Sequence, residues 1–181
     1  MASCNFSREK IVLTVIVTIL KRQEFNEVVE IHSKNLFRFA VNFLRSSNDA
    51  EDIVQDVFEK LWINREKVEL EKAKSWLFTC THNAMLNFIK KSSRIAYMET
   101  NLIPENTTLT TSSFESKQVV DRIVSILPPI QKSIILMRDL EGYSYDEIGD
   151  MLDLSPSQVK VYLFRARMKI KKQLKESTQF A

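Results

Sequence analysis

SYDEIGDMLDLSPSQVKVYLFRARMKIKKQL, residues 144–174, decides the fold. Ser144 with Glu147 three residues later is a capping-box start for a short helix over YDEIGDML. Ser155, Pro156 and Gln158 supply a cap, a first-turn proline and an N3 partner for a longer one. Only Asp153, Leu154 and Ser155 lie between the two, so the stretch reads as a helix-turn-helix. In the second helix Val159, Leu163, Ala166, Ile170 and Leu174 repeat at the spacing of one buried face. That leaves Lys160, Phe164, Arg167 and Lys171 on an outward face beside Tyr162, Arg165 and Lys169. Charge reverses at the turn: residues 139–153 hold six acids and no base, and residues 160–175 hold seven bases and no acid. A basic helix on an acidic support suits a major groove, where its N-terminal half reads base edges and its other cations neutralise phosphates. The competing reading is a solvated amphipathic helix whose cations complement its C-terminal dipole. The second cap and the short turn weigh against it.

Outward from this motif, Pro128 and Pro129 punctuate the chain. Pro129 suits the first turn of a helix running to Leu140, and Gly142 stands where a helix C′ residue belongs. Val119, Val120, Ile123, Val124 and Leu127 show helical periodicity before the prolines. Between Ile95 and Ser116 the period lapses into a Thr-, Ser- and Asn-rich stretch that reads as a linker. Three apolar stripes precede it. Phe25, Val28, Val29, His32, Leu36, Phe39, Ala40 and Phe43 predict a helix over 24–45. Asn48 with Glu51 predicts a capped start for a second helix over 49–65, carrying Ala50, Ile53, Val54, Val57, Phe58, Leu61 and Trp62. Ala73, Trp76, Leu77, Cys80, Ala84 and Phe88 give a third stripe that ends in Lys90, Lys91 and Arg94. The expected fold is all-α: two small helical domains joined by a flexible linker, the C-terminal one a helix-turn-helix. Its parts are an N-terminal extension (1–23), a helical domain (24–95), the linker (96–116), the helix-turn-helix domain (117–175) and a tail (176–181).

Composition agrees. The 181 residues include 2 Gly and 4 Pro, where average usage would give roughly 12 and 9. A phosphate-cradling loop needs several glycines close together, so nucleotide-fold enzymes are excluded. The net charge of +3 is too mild to identify a nucleic-acid partner by itself. Cys4 and Cys80 have neither metal-ligand spacing nor a disulfide framework, which points to a reducing, intracellular compartment. The apolar run Ile11–Leu20 is about half the ~20 residues a membrane span needs. Lys21 and Arg22 follow it directly, against the order of a signal peptide. Cys80 and His82 are the one nucleophile-like pairing, but residues two apart on a helix point away from each other. His32 falls on an apolar stripe and is expected in the core. No catalytic residue, metal site or cofactor is expected, and any catalysis belongs to a partner.

LPPIQKSIILMRDLEGYSYDEIGDMLDLSPSQVKVYLFRARMKIKKQL resembles the −35-binding domain of extracytoplasmic-function (group IV) bacterial sigma factors of the sigma-70 family. NDAEDIVQDVFEKLW and KSWLFTCTHNAMLNFIKK resemble their polymerase-binding and −10-binding domain. The resemblance spans residues 24–175 in the family's order, and QVKVYLFRAR is similar to Bacteroidetes-like members. It implies a transcription initiation factor that binds core RNA polymerase through the β′ clamp helices and the β flap and directs it to promoter DNA. It further implies a cytoplasmic protein, nucleoid-associated in the holoenzyme, with no membrane insertion; an anti-sigma factor is a common partner in the family, and nothing in these residues requires one. By the same resemblance Asp49, Asp52, Gln55 and Asp56 meet the clamp helices. Asn83 captures a flipped −10 base, with Lys74, Thr79, His82, Asn87, Lys90 and Lys91 around it supplying the cations and polar groups of single-strand binding. Ser157, Gln158, Lys160, Val161, Phe164, Arg165 and Arg167 face the −35 duplex.

This sequence departs from the commoner family pattern at Val161, which replaces a small polar residue, at Tyr162, which replaces Arg, and at Asp153, which replaces the turn Gly. Asp tolerates a left-handed backbone better than most residues, and Gly149 is expected to be a close-packing position between the two helices. A stand-alone helix-turn-helix regulator is the rival reading, and an adaptor without a DNA role a more distant one. The basic, aromatic third helix and the acidic second helix separate the first reading from both.

Overall fold

The computed structural model describes residues 20–99 and 126–178. Six α-helices carry them: α1 (Arg22–Leu44), α2 (Ser47–Asn64), α3 (Ala73–Glu99), α4 (Pro129–Ile135), α5 (Tyr145–Leu152) and α6 (Pro156–Thr178). The all-α reading therefore holds. The first domain is a three-helix cluster in which Leu36, Phe39 and Phe43 of α1, Ala50, Val57 and Leu61 of α2, and Leu77, Phe78 and Met85 of α3 are at most 1% exposed. Burying a large apolar side chain contributes about 1.5–3 kcal/mol, so packing rather than intrinsic propensity holds these helices together.

The helix boundaries carry their own physics. Arg45 takes a left-handed conformation (φ 65°) and its N–H donates to the Val41 carbonyl at 2.8 Å, which ends α1. Ser46 is then the extended residue before α2, and its hydroxyl accepts from the Asp49 N–H at 3.3 Å. Ser46 thus takes the place of the expected Asn48 cap: it is extended directly after left-handed Arg45, and its carbonyl already accepts from the Ala50 N–H at 3.2 Å. A 3₁₀ turn over Leu70–Lys72 leads into α3. That helix runs to Glu99, past the expected start of the linker at 96. The remainder of the linker, and the periodic residues 119–124, lie outside the described residues.

Pro129 opens α4 as expected, but the helix does not continue in α form to Leu140. Its last turn widens into a π turn over Leu136–Leu140, with the Glu141 N–H donating to the Leu136 carbonyl at 3.1 Å. Gly142 (φ +79°) then reverses the chain, a conformation glycine adopts without steric cost. The widened turn keeps Leu136 and Met137 in the core while delivering the Glu141 side chain, 1% exposed, to Arg38 of α1.

The two domains are packed together. Phe78 of α3 meets Tyr143 edge-on with ring centroids 5.3 Å apart, and Phe39 lies 5.7 Å from Phe78 on the other side. One apolar core runs through both halves, from Leu20 to Ala166. Leu20 is the single residue of the N-terminal apolar run among those described. It is buried, and its N–H donates to the Arg65 carbonyl at the end of α2 at 3.2 Å. No helix among the described residues is long and apolar enough to cross a membrane.

Candidate nucleic-acid interface

The α5–turn–α6 unit is fixed at three points. Ser144 and Glu147 form the reciprocal capping box: the Ser144 hydroxyl accepts from the Glu147 N–H at 3.2 Å, and the Glu147 carboxylate accepts from the Ser144 N–H at 2.8 Å. Asp153 is left-handed (φ 54°, ψ 51°), and the Leu154 N–H donates to the Gly149 carbonyl at 2.9 Å. A Cβ on Gly149 would stand 2.5 Å from the Leu154 carbonyl oxygen. The close-packing role is therefore real, and the neighbour it meets is the backbone of the turn.

α6 starts on the expected Ser155 cap. Gln158 Oε1 accepts from both the Ser155 N–H (2.8 Å) and the Ser155 hydroxyl (3.0 Å), so the carbonyl end of Gln158 is committed to holding the helix start. Val159, Leu163 and Ala166 are at most 2% exposed, which turns the opposite face to solvent. Ser157, Lys160, Val161, Phe164, Arg165 and Arg167 are all exposed. Within that set Lys160 Nζ lies 5.6 Å from the Tyr145 ring centroid. Arg167 is clamped by both Asp139 carboxylate oxygens at 2.5 and 3.3 Å, and this hydrogen bonding raises its pKa. Arg167 thus ties α6 to the π turn, which the sequence could not reveal because 28 residues separate the partners.

α3 distributes its expected nucleic-acid residues over two surfaces. Asn83, Asn87, Lys90 and Lys91 are exposed, and their i, i+4, i+7, i+8 spacing makes one stripe. Lys74, Thr79 and His82 instead face the second domain. Lys74 Nζ donates to Glu147 Oε1 at 2.6 Å and stands 4.4 Å over the Tyr143 ring. The Thr79 hydroxyl lies 2.8 Å from both the Ser75 and Met151 carbonyls, where its single proton is shared. His82 is buried, its Nδ1 2.9 Å from the Ser133 hydroxyl. Desolvation pushes its pKa down to about 4, so the ring is neutral at physiological pH. The same closure explains Glu147, whose pKa falls to about 2, chiefly through its Lys74 hydrogen bond and then the Ser144 backbone N–H.

Further contacts across the boundary were not legible in the sequence. Arg38 makes a two-pronged ion pair with Glu141, and the buried Lys132 ammonium donates to the Phe43 carbonyl at 2.6 Å. Gln131, Lys132 and Ser133 inside the otherwise apolar run of residues 130–137 are the only sequence signal that this face meets polar groups.

On α2, Asp52, Gln55 and Asp56 are exposed and Asp49 is half-buried at the helix start. Gln55 borders an apolar groove of about 580 Å³ between α1 and α2, lined also by Phe25, Val29, Phe37, Phe58 and Trp62. Trp76 packs against the core and lines a second recess with Lys67 and Lys72. Cys80 also packs against the core, and burial raises its thiol pKa. Among the described residues no group of His, Cys, Asp or Glu side chains is placed to hold a metal ion.

Comparison with known proteins completes the assignment. Residues 28–95 match the family model for sigma-70 region 2, and residues 117–170 match that for sigma-70 region 4. The chain is 25% identical over 150 residues to the ECF RNA polymerase sigma factor SigM of Bacillus subtilis (strain 168), covering 81% of this chain and 92% of that one. It is 29% identical over 129 residues to the ferric citrate uptake sigma factor FecI of Escherichia coli (strain K12), covering 68% and 75%. Its fold is similar to that of the sigma factor RpoE of Bartonella quintana, solved in complex with the anti-sigma factor NepR. The TM-score is 0.70 at 22% identity, over 84% of this chain and 98% of RpoE. CnrH, solved in complex with the cytosolic domain of CnrY, gives 0.65 at 22% identity, over 86% and 90%. With two matched regions on the two domains and the relatives spanning both, the chain belongs to the ECF subfamily of the sigma-70 family of RNA polymerase sigma factors.

Proposed function

We propose that this protein recruits core RNA polymerase and directs it to specific promoters, reading the −35 element as duplex with α6 and capturing the −10 element as single strand with α3. One observation carries the reading: a single chain exposes the Asn83, Asn87, Lys90 and Lys91 stripe on α3 and, separately, the outer face of α6 with Lys160 and Arg165. A duplex-only regulator needs the second surface and not the first. Each surface is modest alone, and a polymerase that holds both at fixed separation raises their joint affinity through effective concentration.

The acidic and amide face Asp49, Asp52, Gln55 and Asp56 docks on the β′ clamp helices in this reading, and the helix-turn-helix domain on the β flap. Because Lys74, Thr79 and His82 are engaged with α4 and α5, their −10 role requires the two domains to separate. The packed arrangement is then the resting form, and an anti-sigma factor is a partner that would hold it. Catalysis lies with the polymerase, and the protein works in the cytoplasm, joining the nucleoid as part of the holoenzyme. On sequence alone we attribute QVKVYLFRAR to a Bacteroidetes-like form of the family.

Co-elution with purified bacterial core polymerase tests the docking face. The intact protein is expected to co-elute, and Asp52→Lys together with Asp56→Lys to elute alone while keeping its helical circular dichroism. Equal co-elution of both forms would move the docking site elsewhere.

A further inference from the structure

The outer face of α6 is not simply basic. Directly opposite the buried Val159, Leu163 and Ala166 stand Val161, 47% exposed, Phe164, 66% exposed, and Met168, 51% exposed. Three large apolar side chains facing water in one row cost solvation that a helix with seven bases need not incur. Val161 and Phe164 lie on the N-terminal half of the helix, beside the exposed Lys160 and Arg165. They are three residues apart, so they share a face and are separated by about 4.5 Å along the axis. Successive base pairs are about 3.4 Å apart, so side chains at this separation can reach separate pairs of one groove.

The flanking charge restricts the occupant. Seven bases with no acid among them between Lys160 and Lys175 attract a polyanion, and Arg165 brackets the apolar pair on its own turn. In a DNA major groove the one apolar feature of a base edge is the C5-methyl of thymine. Val161 has no hydrogen-bonding group, so it cannot be satisfied by the amide, amino or carbonyl edges of the other bases. Phe164 adds a flat apolar face one turn on.

We propose that Val161 and Phe164 are specificity-determining residues that read thymine methyl groups on neighbouring base pairs of the −35 duplex. The proposal rests on the duplex-reading role of α6 put forward above and adds the chemistry of what is read. The cations supply affinity for any duplex, and the apolar pair selects among sequences.

The test uses the full chain assembled with bacterial core polymerase and a promoter library randomised upstream of a −10 element. Selected templates are expected to carry thymine at adjacent pairs. Replacing each such thymine by deoxyuridine removes only the methyl, and binding should weaken about fourfold per methyl, the equivalent of one buried methylene. Val161→Ser should abolish the response to one of the two replacements. Both residues are exposed, so Phe164→Ser, which should remove the other response, gives an independent reading without disturbing the core. Templates recovered with equal affinity for the thymine and deoxyuridine forms would overturn the methyl reading alone. An unaltered methyl response in both variants would overturn the assignment of these residues. Recovery of no preferred template at all would overturn the promoter-directing function and this proposal with it.

Discussion

Lys74 of α3 and Glu147 in the first turn of α5 lie 2.6 Å apart, and the same carboxylate caps its own helix through the Ser144 N–H at 2.8 Å. One side chain therefore both starts a helix of the helix-turn-helix domain and fastens that domain to the other. Glu147→Gln should keep part of the cap but lose the charge pair, loosening the domain contact without unfolding either half. Because the pair is partly exposed, its contribution to stability is small, under about 1 kcal/mol. The clearer readout is trypsin cleavage between the domains, which should quicken in the variant. An unchanged cleavage rate would show that the pair does not hold the contact.

pH dependence separates two sites. His82 has a lowered pKa of about 4 because burial penalises its charged form. The unfolded chain therefore binds the proton first, and stability should fall as pH drops from about 6.5 towards 4. Glu147 also has a lowered pKa, about 2, but it is an acid. Its contribution persists down to its ordinary range near 4.5 and is lost as pH falls from there towards 2. Urea titrations at pH 7, 5 and 3 should show His82→Gln reducing the first decline, with the remainder due to His32, whose pKa burial also lowers, and Glu147→Gln blunting the second. A first decline undiminished in His82→Gln would assign it to His32 or another group.

Ser133→Ala would leave His82 Nδ1 without its 2.9 Å partner in a buried site. Loss of one partner from a buried polar pair costs about 1–3 kcal/mol, and equilibrium urea unfolding should register it. A loss of less than a few tenths would mean that another group satisfies the ring.

Gly149→Ala should destabilise the helix-turn-helix although alanine is the better helix former. The gain in propensity is about 1 kcal/mol, while the added Cβ would meet the Leu154 carbonyl oxygen at 2.5 Å. That oxygen belongs to the turn set by left-handed Asp153, so it cannot swing aside as a flexible side chain would. Overpacking of this kind costs about 1–3 kcal/mol. A melting temperature at or above that of the parent would contradict the account of the turn.

On α6, Arg165→Ala and Lys160→Ala should change promoter preference by about 1–3 kcal/mol per lost base contact. Arg167→Ala should act differently. Its guanidinium is held by Asp139, so its loss should weaken binding to all promoters alike, and Asp139→Asn should reproduce part of that effect. Competition binding on a panel of duplexes distinguishes a changed order of preference from a uniform loss.

What was legible in the sequence was local. Ser144 with Glu147, Ser155 with Gln158, Pro129 and Gly142 act within a few residues of their own position, and the structure bears each of them out. Buried stripes such as Val159, Leu163 and Ala166 follow from helical period alone. The Asn48 cap was misread because it competes with Ser46, and the end of α1 at left-handed Arg45 decides between them. The π turn was invisible because no residue type demands it. The pairings that join the domains, Arg38 with Glu141 and His82 with Ser133, span 103 and 51 residues. No periodicity encodes such partners, so residues that looked free to meet DNA from one helix turn out to be engaged by another.

The most direct test of the central claim is run-off transcription on fragmented genomic DNA with bacterial core polymerase, with and without this protein. The account predicts discrete protein-dependent transcripts whose start sites share upstream elements near −35 and −10. It also predicts that Asn83→Ala abolishes those transcripts while Arg165→Ala redistributes them. Start sites that do not change on adding the protein would contradict it, and duplex binding without polymerase would then favour a stand-alone helix-turn-helix regulator.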